Sequence, residues 1–168
     1  MGLKDKYYEF KDKHFRKDFF ISYHNSPGKG ENCVAKKIHQ VLKRKCYSDY
    51  YNPEHFEFNE QYAERLHRKV KECKVFIWLI TDDYFKLRRE RDGSIARNWF
   101  LAEILWAYKY QKRICIVIDK ETYKDVTMKE VADCFQQGFE PLCNYKNYDA
   151  FDDTDKELVK RFLDQLFN

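Results

Sequence analysis

The stretch Val75-Phe76-Ile77-Trp78-Leu79-Ile80 is an unbroken apolar run. A strand with one wet face alternates apolar and polar residues. A run without alternation is expected where both faces are covered, which is the situation of a parallel sheet flanked by helices. Two further runs have the same character. Asp18-Phe19-Phe20-Ile21-Ser22-Tyr23 is short, aromatic and nearly continuous, and Arg113-Ile114-Cys115-Ile116-Val117-Ile118-Asp119 predicts a third buried strand. Between them the apolar period changes from continuous to helical, with Val34, Ile38, Val41 and Leu42 in one segment and Tyr62, Leu66, Val70 and Cys73 in the next.

Strands that alternate with helices place helices on both faces of a parallel sheet, joined by right-handed crossovers. Cys46 to Tyr51 reads as a less apolar second strand near a sheet edge. After residue 119 the pattern fades. A short helix is expected within 126–139, a last strand at Pro141-Leu142-Cys143, and a final helix over 155–167 with Leu158, Val159, Phe162, Leu163 and Leu166 apolar. The expected fold is therefore α/β, a flavodoxin-like three-layer sandwich with a five-stranded parallel sheet in the order 2-1-3-4-5. A chain of 168 residues suits one domain, here 17–168 behind a Lys- and aromatic-rich extension over 1–16. Ligands of such sheets sit at the carboxyl ends of the strands, beside the switch point. That gathers the loops at 24–30 and 52–60 and the turn at 81–85 around one crevice.

The segment Arg97 to Tyr108 predicts a helix free of Gly and Pro. Phe100, Leu101, Ile104, Leu105, Ala107 and Tyr108 fall on one broad apolar arc, while Trp99, Glu103, Trp106 and Tyr110 line the other side. Two indoles and a phenol around one carboxylate are an odd solvated face. Two readings follow: an amphipathic helix with a surface Glu, or a carboxylate in an aromatic-walled cleft.

Other chemistry finds little support. The loop His24-Asn25-Ser26-Pro27-Gly28-Lys29-Gly30 has neither the Walker nor the dinucleotide glycine spacing, although the helix after it offers backbone N–H groups to an anion. Asp82 and Asp83 after a strand resemble a metal-binding pair, but helix initiation accounts for them, and His55 reads as a loop histidine. None of the cysteines is spaced as C-x-x-C, so no metal and no redox motif is expected. A net charge of +4, mixed in sign, is too weak to indicate nucleic acid. No run approaches the length of a membrane span, and no signal-like segment opens the chain, so a cytoplasmic protein with reduced thiols is expected.

Asp18-Phe19-Phe20-Ile21-Ser22-Tyr23 resembles the opening box of TIR (Toll/interleukin-1 receptor) domains. The polar loop at 52–60 resembles their BB loop. Trp99-Phe100-Leu101-Ala102-Glu103, followed by the 113–119 strand, is similar to the segment that holds the catalytic glutamate of NAD-cleaving TIR proteins. The resemblance spans roughly residues 17–167. It implies an NAD⁺ nucleosidase, or ADP-ribosyl cyclase, with Glu103 as catalytic carboxylate and Trp99 as a wall of the nicotinamide pocket. Tyr23, His24 and Asn25 would flank the dinucleotide. The family often has an acid just after the second strand, and that position falls on Asp49, Asn52 or Glu54. The basic residue that commonly follows the S-Y pair is absent, since His24 and Asn25 stand there.

The implied chemistry uses NAD⁺ as substrate and no cofactor. Nicotinamide bound as a pyridinium is already a cationic leaving group, so one carboxylate that stabilises the oxocarbenium-like transition state suffices. Water then gives ADP-ribose, and the substrate's own adenine or ribose gives a cyclic product. A lone TIR chain resembles the standalone enzymes of bacterial antiphage systems such as Thoeris, whose product activates a separate effector, and self-association through the 52–60 loop is implied. The alternative is a TIR–TIR interaction module without catalysis. A receiver or flavodoxin-type module is a weaker third reading, lacking its acid pair or its phosphate loop.

Overall fold

A computed structural model of the chain describes residues 18–23, 33–51, 60–81, 84–85, 91–93 and 99–118, with the backbone alone for 60–62, and scattered positions between 129 and 164. The strands among them are β1 (Phe19–Ser22), β2 (Asp49–Tyr50), β3 (Val75–Ile80) and β4 (Arg113–Ile118). The helices are α1 (Cys33–Arg44), α2 (Glu60–Glu72) and α3 (Trp99–Lys109). All strand pairs are parallel, in the order β2-β1-β3-β4. This agrees with the first four strands of the expected order. The fifth strand, expected at 141–143, lies outside the described residues.

The period-2 geometry of the strands divides the interior into two cores. Phe20, Phe76, Trp78 and Ile80 face α2 and α3, where Leu66, Val70, Leu101, Ile104 and Leu105 cover them. Ile21, Ile77 and Leu79 face the other way, against Ala35 and Leu42 of α1. The sheet is thus covered on both sides, as the unbroken run in β3 requires. On the first face Phe20 stacks between Tyr50 and Phe76, with centroids 5.2 and 5.4 Å away.

Asp18 anchors the amino ends of three strands. Its N–H donates to the Ser48 carbonyl (3.0 Å), and its own carbonyl accepts from the N–H groups of Lys74 and Val75 (3.1 and 3.0 Å). Its carboxylate accepts from Ser48 Oγ (3.0 Å) and Lys74 Nζ (2.7 Å). These bonds hold the Asp18 carboxyl below its ordinary range, Lys74 contributing most and Ser48 next.

Two helices end alike without glycine. After α1 the N–H of Tyr47 donates to the Leu42 carbonyl and that of Cys46 to Lys43, with Cys46 at φ 60°. After α3 the N–H of Lys112 donates to Ala107 and that of Gln111 to Tyr108, with Gln111 at φ 52°. Both are Schellman caps, which place a residue in the left-handed region where glycine is usual. The cap at Cys46 corrects the expected strand 46–51, since only Asp49 and Tyr50 pair in the sheet.

Three further expectations need correction. The strand β4 is not buried: Arg113, Cys115, Ile116 and Ile118 are exposed, and Ile114 and Val117 half-buried. It stands last in the order of the four described strands. Val41 is 48% exposed, turned away from the α1 core that Leu42 enters. The faces of α3 also differ from the predicted arc. Trp99 and every residue from Leu101 to Ala107 are buried, whereas Phe100 and Tyr108 are only half-buried. A helix wedged between a sheet and another helix buries most of its circumference, and amphipathicity then ceases to mark its inner side.

Part of the carboxyl-terminal reading falls on described positions. Residues 129, 133–135 and 137 are helical, with Cys134 and Phe135 buried. Positions 154, 157, 160, 161 and 164 are helical and exposed, and Glu157 pairs with Arg161 at 3.7 Å. The apolar positions expected between them lie outside the described residues. No described helix is long and apolar enough to cross a membrane.

Candidate active site

Ser22 is the last residue of β1 and shares the face of Phe20, two positions earlier, so its side chain points toward α3. Glu103, in the second turn of α3, comes down onto it. Ser22 Oγ donates to Glu103 Oε2 at 2.6 Å. Glu103 is 8% exposed and Ser22 is buried. Of the two readings of this helix, the surface Glu is excluded.

A third hydroxyl completes the cluster. The turn after β3 closes with the Tyr84 N–H donating to the Thr81 carbonyl (3.0 Å). This brings the Tyr84 hydroxyl to 3.2 Å from Ser22 Oγ. Tyr84 is fully buried among Trp78, Phe85 and Phe100, with ring centroids 5.9, 5.3 and 4.9 Å away. The cluster therefore sits where β1 and β3 end side by side, Ser22 being paired with Trp78 across the ladder. From β1 the chain crosses first to β2 on one side and then to β3 on the other, so this gap is the topological switch point of the sheet.

Burial governs the electrostatics. No described cation lies within ion-pair distance of Glu103. Loss of water pushes its carboxyl up from 4.5 to about 8, against a smaller opposing pull from the Ser22 hydroxyl. Burial also pushes the Tyr84 phenol well above its ordinary value. The nearby Glu103 charge adds to this, hydrogen bonding by Ser22 and Trp78 opposes it, and the Cys134 thiol contributes a small upward push. Cys134 itself is pushed up to about 12 by burial. Among the described residues no cluster of His, Cys, Asp or Glu is arranged to hold a metal.

The aromatic wall differs from the one expected. Trp99 is buried one turn before Glu103. Trp106 belongs elsewhere: its indole meets His67 of α2 edge-on at 4.9 Å, and His67 Nε2 lies 2.6 Å from the Tyr110 hydroxyl. Trp106 and Tyr110 thus join α3 to α2, and the phenol of Tyr84 is the ring set against the carboxylate cluster. Tyr23 is also not brought beside Glu103. As the neighbour of Ser22 it points to the α1 face, where it stacks on Tyr51 at 5.4 Å, and Tyr51 stacks on His39 at 4.8 Å. Asp49 is occupied on β2 by His39 Nδ1 at 2.8 Å. His24, Asn25, Asn52 and Glu54 lie outside the described residues.

Sequence reasoning missed Ser22 and Tyr84 as members of the site. The alternation of β1 carried the signal for Ser22, because a hydroxyl two residues after a core Phe must face the same interior. Nothing in the sequence singled out Tyr84.

No protein-family model and no curated protein matches the chain. Among solved structures it is similar to the TIR domains in the structure of the activated Roq1 resistosome directly recognizing the pathogen effector XopQ. The two are 15% identical, the match covers 88% of this chain and 80% of that one, and the TM-score is 0.46.

Proposed function

We propose that the chain is a TIR-type NAD⁺ nucleosidase with Glu103 as its catalytic carboxylate. The observation that carries this reading is a buried acid at the switch point of a parallel sheet, held by one hydroxyl and balanced by no described cation. Such a carboxylate is poorly solvated, so a ligand that brings positive charge relieves it. The nicotinamide ribosyl group of NAD⁺ brings that charge and passes it to the sugar as the bond breaks. A carboxylate in a low-dielectric site stabilises this developing cation more than it does in water.

In this reading Trp99 lines the nicotinamide pocket. The loop at 24–30, with His24 and Asn25, and the loop at 52–60, with Asn52 and Glu54, hold the rest of the dinucleotide. Tyr23 supports the first loop from the α1 side. The 52–60 loop also mediates self-association. Nicotinamide leaves with ADP-ribose or a cyclic isomer formed, and the product serves as a signal to a separate effector in bacterial antiphage defence, as in standalone TIR enzymes. A fifth strand beside β4 would complete the order 2-1-3-4-5.

The test is release of nicotinamide from NAD⁺ by purified protein, followed by chromatography with mass detection. Glu103→Gln is expected to lower release by about a hundredfold or more. Equal release from the variant, or none from the wild type at high protein concentration, overturns the reading in favour of a TIR–TIR interaction module.

A further inference from the structure

The cluster holds more than the carboxylate needs for burial. Three oxygens, from the end of β1, the turn after β3 and the second turn of α3, lie in series: Tyr84 Oη to Ser22 Oγ at 3.2 Å, and Ser22 Oγ to Glu103 Oε2 at 2.6 Å. Tyr84 is fully buried and Ser22 nearly so, which keeps water from substituting for either. A hydroxyl has one proton to give, which makes the series directional. When Glu103 is ionised, Ser22 gives its proton to Oε2 and its oxygen accepts from Tyr84, so both hydroxyl protons are used. When the acid proton sits on Oε2, it donates to Ser22 Oγ. The serine proton then turns to the tyrosine oxygen, and Tyr84 loses Ser22 as its acceptor. With the proton on Oε1 instead, both hydroxyl bonds survive, but Ser22 then donates to a neutral carbonyl oxygen, a weaker acceptor than a carboxylate. In either case the series favours the anion.

We propose that Tyr84 and Ser22 form a two-hydroxyl relay that holds Glu103 by one oxygen and favours its anion over its neutral acid. They are positioning residues, Tyr84 acting through Ser22. The relay bonds Oε2 and leaves Oε1 free of Ser22, so only one carboxylate oxygen is fixed by it. The remaining titratable groups on elements packed against this region do not replace it. Cys134 is a buried neutral thiol near Tyr84, His67 is engaged with Tyr110, and Lys69 is buried on α2. The relay's part in turnover rests on the NAD⁺ reading, whereas its effect on the carboxyl group does not.

The experiment is therefore a titration without substrate. The Glu103 carboxyl carbon is followed by ¹³C NMR from pH 5 to 10 in the wild type, Ser22→Ala, Tyr84→Phe and the double variant, with Glu103→Gln identifying the signal. Loss of a hydrogen bond to a charged group corresponds to about one pH unit or more. Ser22→Ala is expected to raise the midpoint by about that much, and Tyr84→Phe by less. The double variant should match Ser22→Ala closely, because Tyr84 is hydrogen-bonded to the carboxylate only through Ser22 and stays a neutral phenol across this pH range. Unmoved midpoints, or additive ones, overturn the relay. Should a variant melt too early for NMR, the pH dependence of its urea unfolding at low temperature reports the same midpoint. Nicotinamide release is measured in parallel. Ser22→Ala should lose about tenfold near pH 7 and recover at high pH, which a merely structural lesion would not do. Midpoints that shift as expected without any nicotinamide release sustain the relay and sink the NAD⁺ reading, while release with unmoved midpoints does the reverse.

Discussion

Replacing Glu103 with Gln should change how the stability of this protein depends on pH, in a direction opposite to that of most paired acids. The Glu103 carboxyl is pushed from 4.5 to about 8 by burial. Between those values the folded chain holds a proton that the unfolded chain has released, so stability falls as pH rises. The loss begins near pH 4.5 and is complete once pH passes about 8. At about 1.4 kcal/mol per pH unit, the full span corresponds to roughly 5 kcal/mol. Between pH 6 and pH 8, where the group is only half ionised at the upper end, it is about 2 kcal/mol. Gln has nearly the same shape, can accept from Ser22 through its amide oxygen, and carries no charge. The variant should therefore gain about 2 kcal/mol relative to wild type on going from pH 6 to pH 8, or roughly 4–8 °C in melting temperature for a chain of this size. Urea unfolding at a series of pH values measures this as a difference between two curves, so histidines and other groups common to both cancel. Parallel curves would show that the carboxyl is solvated, and would remove the basis for treating it as a poised anion.

If nicotinamide is released, kcat/KM for NAD⁺ should climb with pH and level off above about 8, because it reports the ionisation of free Glu103; a flat profile from pH 6 to 9 would speak against that acid. Cys46→Gly and Gln111→Gly should each raise stability by roughly 0.5–1 kcal/mol, since both residues occupy the left-handed region at a helix end; thermal denaturation of each variant checks it, and a lower melting temperature would refute the strain. Asp18→Asn should destabilise the fold at neutral pH. Its folded value lies below 3.8, so the penalty should be present above that pH and vanish as pH falls through the folded value; a penalty independent of pH would point to lost packing alone.

The unbroken apolar character of β3 and the helical spacing of Leu66, Val70 and Cys73 were enough to indicate parallel strands with helices on two faces, and the order of the described strands agrees with the flavodoxin-like order expected for such an alternation. The same reasoning failed at β4. An apolar run shows that burial is possible without showing that it occurs, and along β4 four of the six residues are exposed. Glu103 was conspicuous because a carboxylate among aromatic residues is rare on a solvated helix. Its surroundings were only half legible. Four residues with helical spacing share a stripe, but the neighbours of α3 differ along its length, so Trp106 meets His67 while Glu103 meets Ser22. The turn at 81–85 was expected beside the crevice, but Tyr84 was not singled out within it, because its contact joins groups sixty-two residues apart in sequence.

Asp18 lies four residues before Ser22, yet it decides what the acid finds opposite it. By clamping β1 to Ser48 on one flank and to Lys74 and Val75 on the other, it sets the strand's threading from both sides. Were β1 to slide by a single residue, every side chain in it would swap layers. The phenol of Tyr23 would then enter the interior that Ser22 now occupies, and a bulky ring would stand where a small donor is needed. An ordinary-looking clasp at the far end of the strand therefore safeguards the chemistry as much as the fold.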